Sequence, residues 1–194
     1  VGKLAIRNFS ISAKQIFQSN LLLIICCAFY LAWWLLAFKP DGAVKGMKTG
    51  WLLIPAFAAG LAAIVLAVMG MRSAPVGTAF FPDGLPVWAG LASYFILVAV
   101  TRLFFKRPVT TELFLIVGWA VLALSEINTL YGIRMFSHAR TVLLTAVIGA
   151  AALISLICYV LYYRLEKRPG YFDGMVPLWM VAFVTAGISA AMVI

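Results

Sequence analysis

The chain of 194 residues is 65% hydrophobic and 11% charged, with 15 Lys and Arg against 6 Asp and Glu, a net charge of +9. Soluble domains run at about 45–50% apolar and about 25% charged, so a soluble fold is excluded: this much apolar surface needs a bilayer, and the length holds six spans with short loops and no separate soluble domain. The basic surplus lies in the N-terminal arm and the loops, where Lys and Arg anchor spans against lipid headgroups, and no basic run interleaved with aromatics points to nucleic acid.

The first 19 residues are the least hydrophobic long segment. Ile6, Phe9, Ala13, Ile16 and Phe17 recur at helical spacing, with Lys3, Arg7, Lys14 and Gln18 opposite, which predicts an amphipathic helix lying in the membrane interface. Fusion of this arm with the first span into one long helix is the alternative. No secretory signal is expected, because the apolar run begins near Leu21 and no small-residue cleavage site follows it.

Six transmembrane helices are predicted over residues 20–38, 50–71, 85–105, 111–130, 141–163 and 176–194, forming one compact all-α transmembrane domain. The loops carry helix breakers: Lys39 to Gly42; Pro75, Gly77, Pro82, Asp83 and Gly84; Arg107 and Pro108; Pro169, Gly170, Asp173 and Gly174. Pro55 and Pro177 are placed in the first turns of their spans, where a missing N–H costs little. Of Trp33, Trp34, Trp51, Trp88, Tyr159, Tyr162, Tyr163, Tyr171, Phe172 and Trp179, most fall near span ends as an aromatic belt. Small residues at Ala56 and Gly60, Ala59 and Ala63, Gly149 to Ala152, and Gly187 and Ala191 predict close packing of spans two, five and six.

With the arm set aside, loops 1, 3 and 5 hold nine Lys and Arg and loops 2 and 4 hold three. The positive-inside rule then puts loops 1, 3 and 5 in the cytoplasm and both termini outside, although the three charges of the arm argue the reverse. The two halves align weakly at offsets of 92, 89 and 90 residues: Leu21, Leu23, Ile24 and Ala28 with Leu113, Leu115, Ile116 and Ala120; Gly60 to Ala63 with Gly149 to Ala152; Asp83-Gly84 with Asp173-Gly174. A duplicated unit of three spans would make a 3+3 inverted repeat, the plan of many transporters.

Glu126 is the acidic residue deepest within an apolar run, and an intramembrane carboxyl is a functional-site candidate by default. A helical wheel places Glu112, Leu115, Trp119, Leu122, Ala123, Glu126, Thr129 and Ile133 on one face. Glu112 is about 21 Å along that face, so the two carboxyls cannot act as a pair. One reading makes Glu126, with Ser125, Asn128, Thr129 and Trp119, a node that binds a proton, a cation or the polar end of a solute. The other makes it a packing lock, bonded to a Trp, Tyr or Arg of a neighbouring span, with Arg134 drawing it toward the interface as an intermediate case. Arg102 and Glu112 are expected to form a structural ion pair across the short third loop. His138 is read as a solvated loop residue.

Cys26, Cys27 and Cys158 lie inside apolar runs, and with His138 the single histidine no metal site and no cofactor are expected. No hydrolase, zinc-protease or nucleotide-binding motif occurs, and Ser125 and Glu126, adjacent on a helix, diverge by about 100°, so no catalytic residues are assigned. Three functions follow in order: a polytopic membrane protein binding or transporting a small solute or ion at Glu126; a non-catalytic membrane subunit or scaffold; an intramembrane enzyme. The partners expected are the bilayer, a small solute or ion, and other membrane subunits or further copies of the chain, with no nucleic acid.

Overall fold

The computed structural model describes residues 9–38, 49–75, 77–104, 106, 111–165 and 167–194, with the backbone alone at 111, 112, 167 and 169. Six helices follow in order: α1 (Ile11–Ala37), α2 (Leu53–Ser73, led in by the 3-10 turn Thr49–Leu52), α3 (Leu85–Leu103), α4 (Thr111–Gly132), α5 (His138–Tyr162) and α6 (Lys167–Val193). Each is long and apolar enough to cross a membrane, and the described residues contain no strand. The protein is an integral, polytopic membrane protein.

Helix α1 differs from the expected division into arm and span. It starts at Ile11, where the Ser10 hydroxyl caps the Ala13 N–H, and runs without a break through Ser19 and Asn20. The reason is tertiary. Ser12, Ile16, Ser19, Cys27, Leu31 and Trp34 recur on one buried face, so the lower turns pack on protein like the upper ones. Lys14 and Gln18 stay exposed on the opposite face as expected, whereas Ile6, Lys3 and Arg7 lie outside the described residues. At about 1.5 Å per residue the 27-residue helix is about 40 Å long, more than the hydrocarbon thickness of about 30 Å.

Helices α1 and α2 form the most extensive helix pair. Their seam is the small-residue row Ala56, Ala63, Ala67 and Gly70, all buried on α2. The Ser12 hydroxyl donates to the Gly70 carbonyl at 2.6 Å, and Ser73 donates to the Gln15 side chain at 3.0 Å. Small residues are also expected to bring α5 and α6 together, and these two helices do pack along each other. Of the residues expected there, Ala151, Ala152 and Ala191 belong to the main core or pack against it, whereas a side chain at Gly149 or Gly187 would meet nothing within 4 Å.

Between α2 and α3 the chain makes a turn in which the Leu85 N–H donates to the Pro82 carbonyl at 3.0 Å, with Gly84 at φ 74, a conformation that glycine adopts without cost. Helix α3 buries only Pro86 and Thr101 and packs on α4. Helix α5 packs along α6, whereas the equivalent pair α2 and α3 do not pack along each other, so helix pairing lends the 3+3 repeat no support.

Helix α6 begins nine residues before the expected span and carries Pro177 in its interior, not in a first turn. Gly170, Asp173 and Gly174, read as loop residues, lie within it. The added turns are tied to α1: the Trp34 indole donates to the Tyr171 carbonyl at 3.2 Å, and the Tyr171 hydroxyl donates to the Leu35 carbonyl at 3.3 Å. The breakers of loop 1 (Lys39 to Gly42) and of loop 3 (Arg107 and Pro108) lie outside the described residues.

Candidate functional site: a sealed polar node between three helices

The buried face of α4 comprises Leu113, Ile116, Trp119, Ala123, Glu126, Ile127 and Leu130. It is rotated from the expected stripe, leaving Leu115 half exposed at 51%. Glu126 remains on it and is 1% exposed. Its Oε1 lies 3.4 Å from the Ser19 hydroxyl of α1, and the same hydroxyl donates to the Ala63 carbonyl of α2 at 2.8 Å. A hydroxyl has one proton, so the shorter contact is the hydrogen bond and Oε1 accepts only the weak branch of a shared one, at the edge of useful geometry. One serine therefore links α4 through Glu126 to α1 and α2.

Asn20, 2% exposed, lies beside the carboxyl, but its Nδ2 falls outside hydrogen-bond geometry and has no partner among the described residues. The packing-lock reading expected a Trp, Tyr or Arg beside Glu126. Its hydrogen-bond partner is a serine, and Arg134 is exposed at the end of α4 with no contact to it. Trp119, also buried, donates its indole N–H to the Thr185 hydroxyl of α6 at 3.4 Å, two turns away from Glu126.

The remaining expected site residues are engaged elsewhere. Ser125 donates to the Val121 carbonyl at 2.8 Å and Thr129 to the Ser125 carbonyl at 2.9 Å, the local back-bonding that satisfies a helical hydroxyl without a tertiary partner. Asn128 faces the segment after α2: its Oδ1 accepts from the backbone N–H groups of Phe80 and Phe81 at 2.8 and 2.9 Å. Replacing Asn128 with Ala strands two donors, so we expect a loss of about 1–2 kcal/mol. Faster amide exchange at Phe80 and Phe81 would accompany it, and Asn128→Asp, which retains the acceptor, would restore most of the protection. For the ion pair, Arg102 is exposed on α3, and the Glu112 side chain lies outside the described residues.

Glu126 lines none of the described cavities. One cavity of about 70 Å³ is apolar and lies among Tyr30, Trp34, Tyr159 and Pro177. Another, of about 540 Å³, is polar and lies at the junction of α4 and α5. His138, expected in a loop, is the first residue of α5 and borders it. Among the described residues no cluster of His, Cys, Asp and Glu could hold a metal ion.

Sequence reasoning missed Ser19 and Asn20, because the first span was drawn to begin between them. The signal available was the recurrence of Ser12, Ser19 and Asn20 with Ala13 and Ile16 on one helical face. The chain matches no family model, no curated protein and no solved structure.

Proposed function

We propose that the protein is a non-catalytic membrane subunit or scaffold in which Glu126 is a packing lock. The observation that carries this reading is the burial of the carboxyl, 1% exposed and joined through Ser19 to the Ala63 carbonyl. A group that exchanges a solute needs a path or a space, and this one has packed helices around it. An enzyme is supported least, because the hydroxyl nearest in sequence, Ser125, is committed to its own helix. The proposed partners are the bilayer and further membrane subunits or a second copy of the chain. The charge asymmetry of the loops supports a cytoplasmic position for loops 1, 3 and 5.

Binding or transport of a small solute or ion at Glu126 is favoured by one observation, the unpartnered Asn20 amide beside it. A buried donor lacking an acceptor is what an occluded water or solute would satisfy. In that case Glu126, Ser19 and Asn20 would be the contacts, with Ser125, Asn128 and Thr129 outside the site.

Thermal unfolding of the purified protein in sodium, potassium or choline chloride tests the choice. The lock predicts an apparent Tm independent of the cation in the native protein and in Glu126→Gln. A Tm that rises with sodium or potassium, and loses that rise in Glu126→Gln while the variant stays folded, would overturn the lock and install the ion-binding reading.

A further inference from the structure

The polar cavity at the junction of α4 and α5 is unrelated to the Glu126 node and has its own chemistry. It measures about 540 Å³, and its polar lining comes from Thr78, Tyr131, Arg134, Ser137, His138 and Arg140, with no Asp or Glu. Two guanidinium groups, an imidazole and three hydroxyls therefore face a space without a carboxylate. Such a lining repels cations and presents donors to an anion.

The walls of this cavity are fixed by the Asn128 contacts already described and by others at Gly77, Phe80 and Arg140. The segment carrying Thr78 is held by Asn128 and by the approach of Gly77 to the backbone of Gly132, so close that a Cβ at Gly77 would collide with the Gly132 carbonyl oxygen. Phe80 packs edge-on to Tyr131 at 5.5 Å and against His138 at 5.2 Å, bracing both rings. Arg140 donates through Nη1 to the Ala191 carbonyl of α6 at 2.9 Å and lies over the Phe136 ring at 5.9 Å, which fixes its planar fork in place. A braced guanidinium loses less freedom when it binds a ligand than one that is free to rotate.

Arg134 sits at φ 60, the left-handed position after the last residue of α4 in a Schellman motif: the Met135 N–H donates to the Leu130 carbonyl and the Arg134 N–H to the Tyr131 carbonyl, both at 2.9 Å. This cap holds the backbone of Arg134 in one conformation beside the cavity that its side chain lines. Beside it, the Ser137 hydroxyl caps the Arg140 N–H, and the first turn of the 25-residue α5 opens with its positive end at the cavity.

We propose that this cavity binds an anionic phosphate group. Forked guanidiniums match phosphate oxygens bidentately, and the hydroxyls supply further donors to a ligand that accepts several bonds at once. Lying where α4 ends and α5 begins, the site meets the level of the lipid headgroups, so the phosphate comes either from a phospholipid or from a small soluble phosphorylated compound.

The test uses the full chain in two arms. In neutral detergent, inorganic phosphate is compared with chloride at equal ionic strength. In the same detergent, added phosphatidylglycerol is compared with added diacylglycerol, which has the same acyl chains and no phosphate. The expected result is a rise in apparent Tm of about 3 °C or more in one arm at saturating probe. Response to inorganic phosphate assigns a soluble ligand, and response to phosphatidylglycerol alone assigns the headgroup. The rise is lost in Arg134→Gln combined with His138→Gln, is reduced in Arg134→Lys, and persists in Arg72→Gln, which removes a guanidinium that does not line the cavity. No rise in either arm, or an equal loss in Arg72→Gln, would overturn the proposal. Neither result depends on Glu126, so failure here leaves the lock untouched.

Discussion

Glu126→Ala lowers the apparent Tm by about 4–8 °C, corresponding to about 2 kcal/mol. Two losses add. Removing the carboxyl deletes the contact with Ser19, and hydrogen bonds between membrane helices contribute about 0.6 kcal/mol on average. Truncation also empties the volume that a fully buried side chain fills between α1, α2 and α4, and a core with few voids relaxes only in part. Glu126→Gln keeps both the volume and an acceptor oxygen, so its loss is a fraction of that of Glu126→Ala. The sign is as informative as the size. Groups kept for binding or catalysis commonly cost stability, so a variant more stable than the native protein would mean that the carboxyl is maintained for function and not for packing.

Gly70→Val is expected to cost about 2–3 kcal/mol, read as a fall in Tm and as loss of the close α1–α2 approach. A Cβ at Gly70 would lie 2.9 Å from Ile16 Cγ1 and 3.1 Å from the Ser12 carbonyl oxygen, and valine adds two methyl groups beyond it. Ser12, which now donates to the Gly70 carbonyl, would be pushed away with its helix. In lipid there is little hydrophobic gain from helix association, so close backbone packing and hydrogen bonds across the seam hold the pair together. Ile16→Ala in the Gly70→Val background opens space at the clash and should recover part of the loss. If the double variant is no better than the single, the collision with Ile16 is not the cause.

The presence and number of the spans were legible because each apolar run has a length near that of the bilayer and the breakers fall between runs. Their ends were not. Helix α1 extends down to Ile11 because Ser12 and Ile16 meet Gly70, and α6 extends up to Lys167 because Tyr171 and Trp34 hold it against α1. Such contacts join residues more than fifty positions apart, beyond the reach of any local pattern. The same holds for the site. Glu126 stood out as a carboxyl in an apolar run, but its partner Ser19 is 107 residues away. Ser125 and Thr129 looked like members of the node because they are near in sequence, yet a helical hydroxyl finds a carbonyl one turn back without help from tertiary structure. Asn128 was placed in the same node, but its partner is the backbone of Phe80 and Phe81, 47 and 48 residues away.

The account rests on Glu126 as a lock closed by Ser19, and a double-mutant cycle measures that directly. Stabilities of the native protein, Ser19→Ala, Glu126→Ala and the double variant, obtained by denaturant or thermal unfolding under one set of conditions, give a coupling energy from which the separate contact of Ser19 with Ala63 cancels. The lock predicts a favourable coupling of about 0.6–1 kcal/mol, the double variant being less destabilised than the sum of the singles. Additivity within about 0.3 kcal/mol would contradict it, leaving Glu126 as a buried carboxyl that contributes nothing through Ser19.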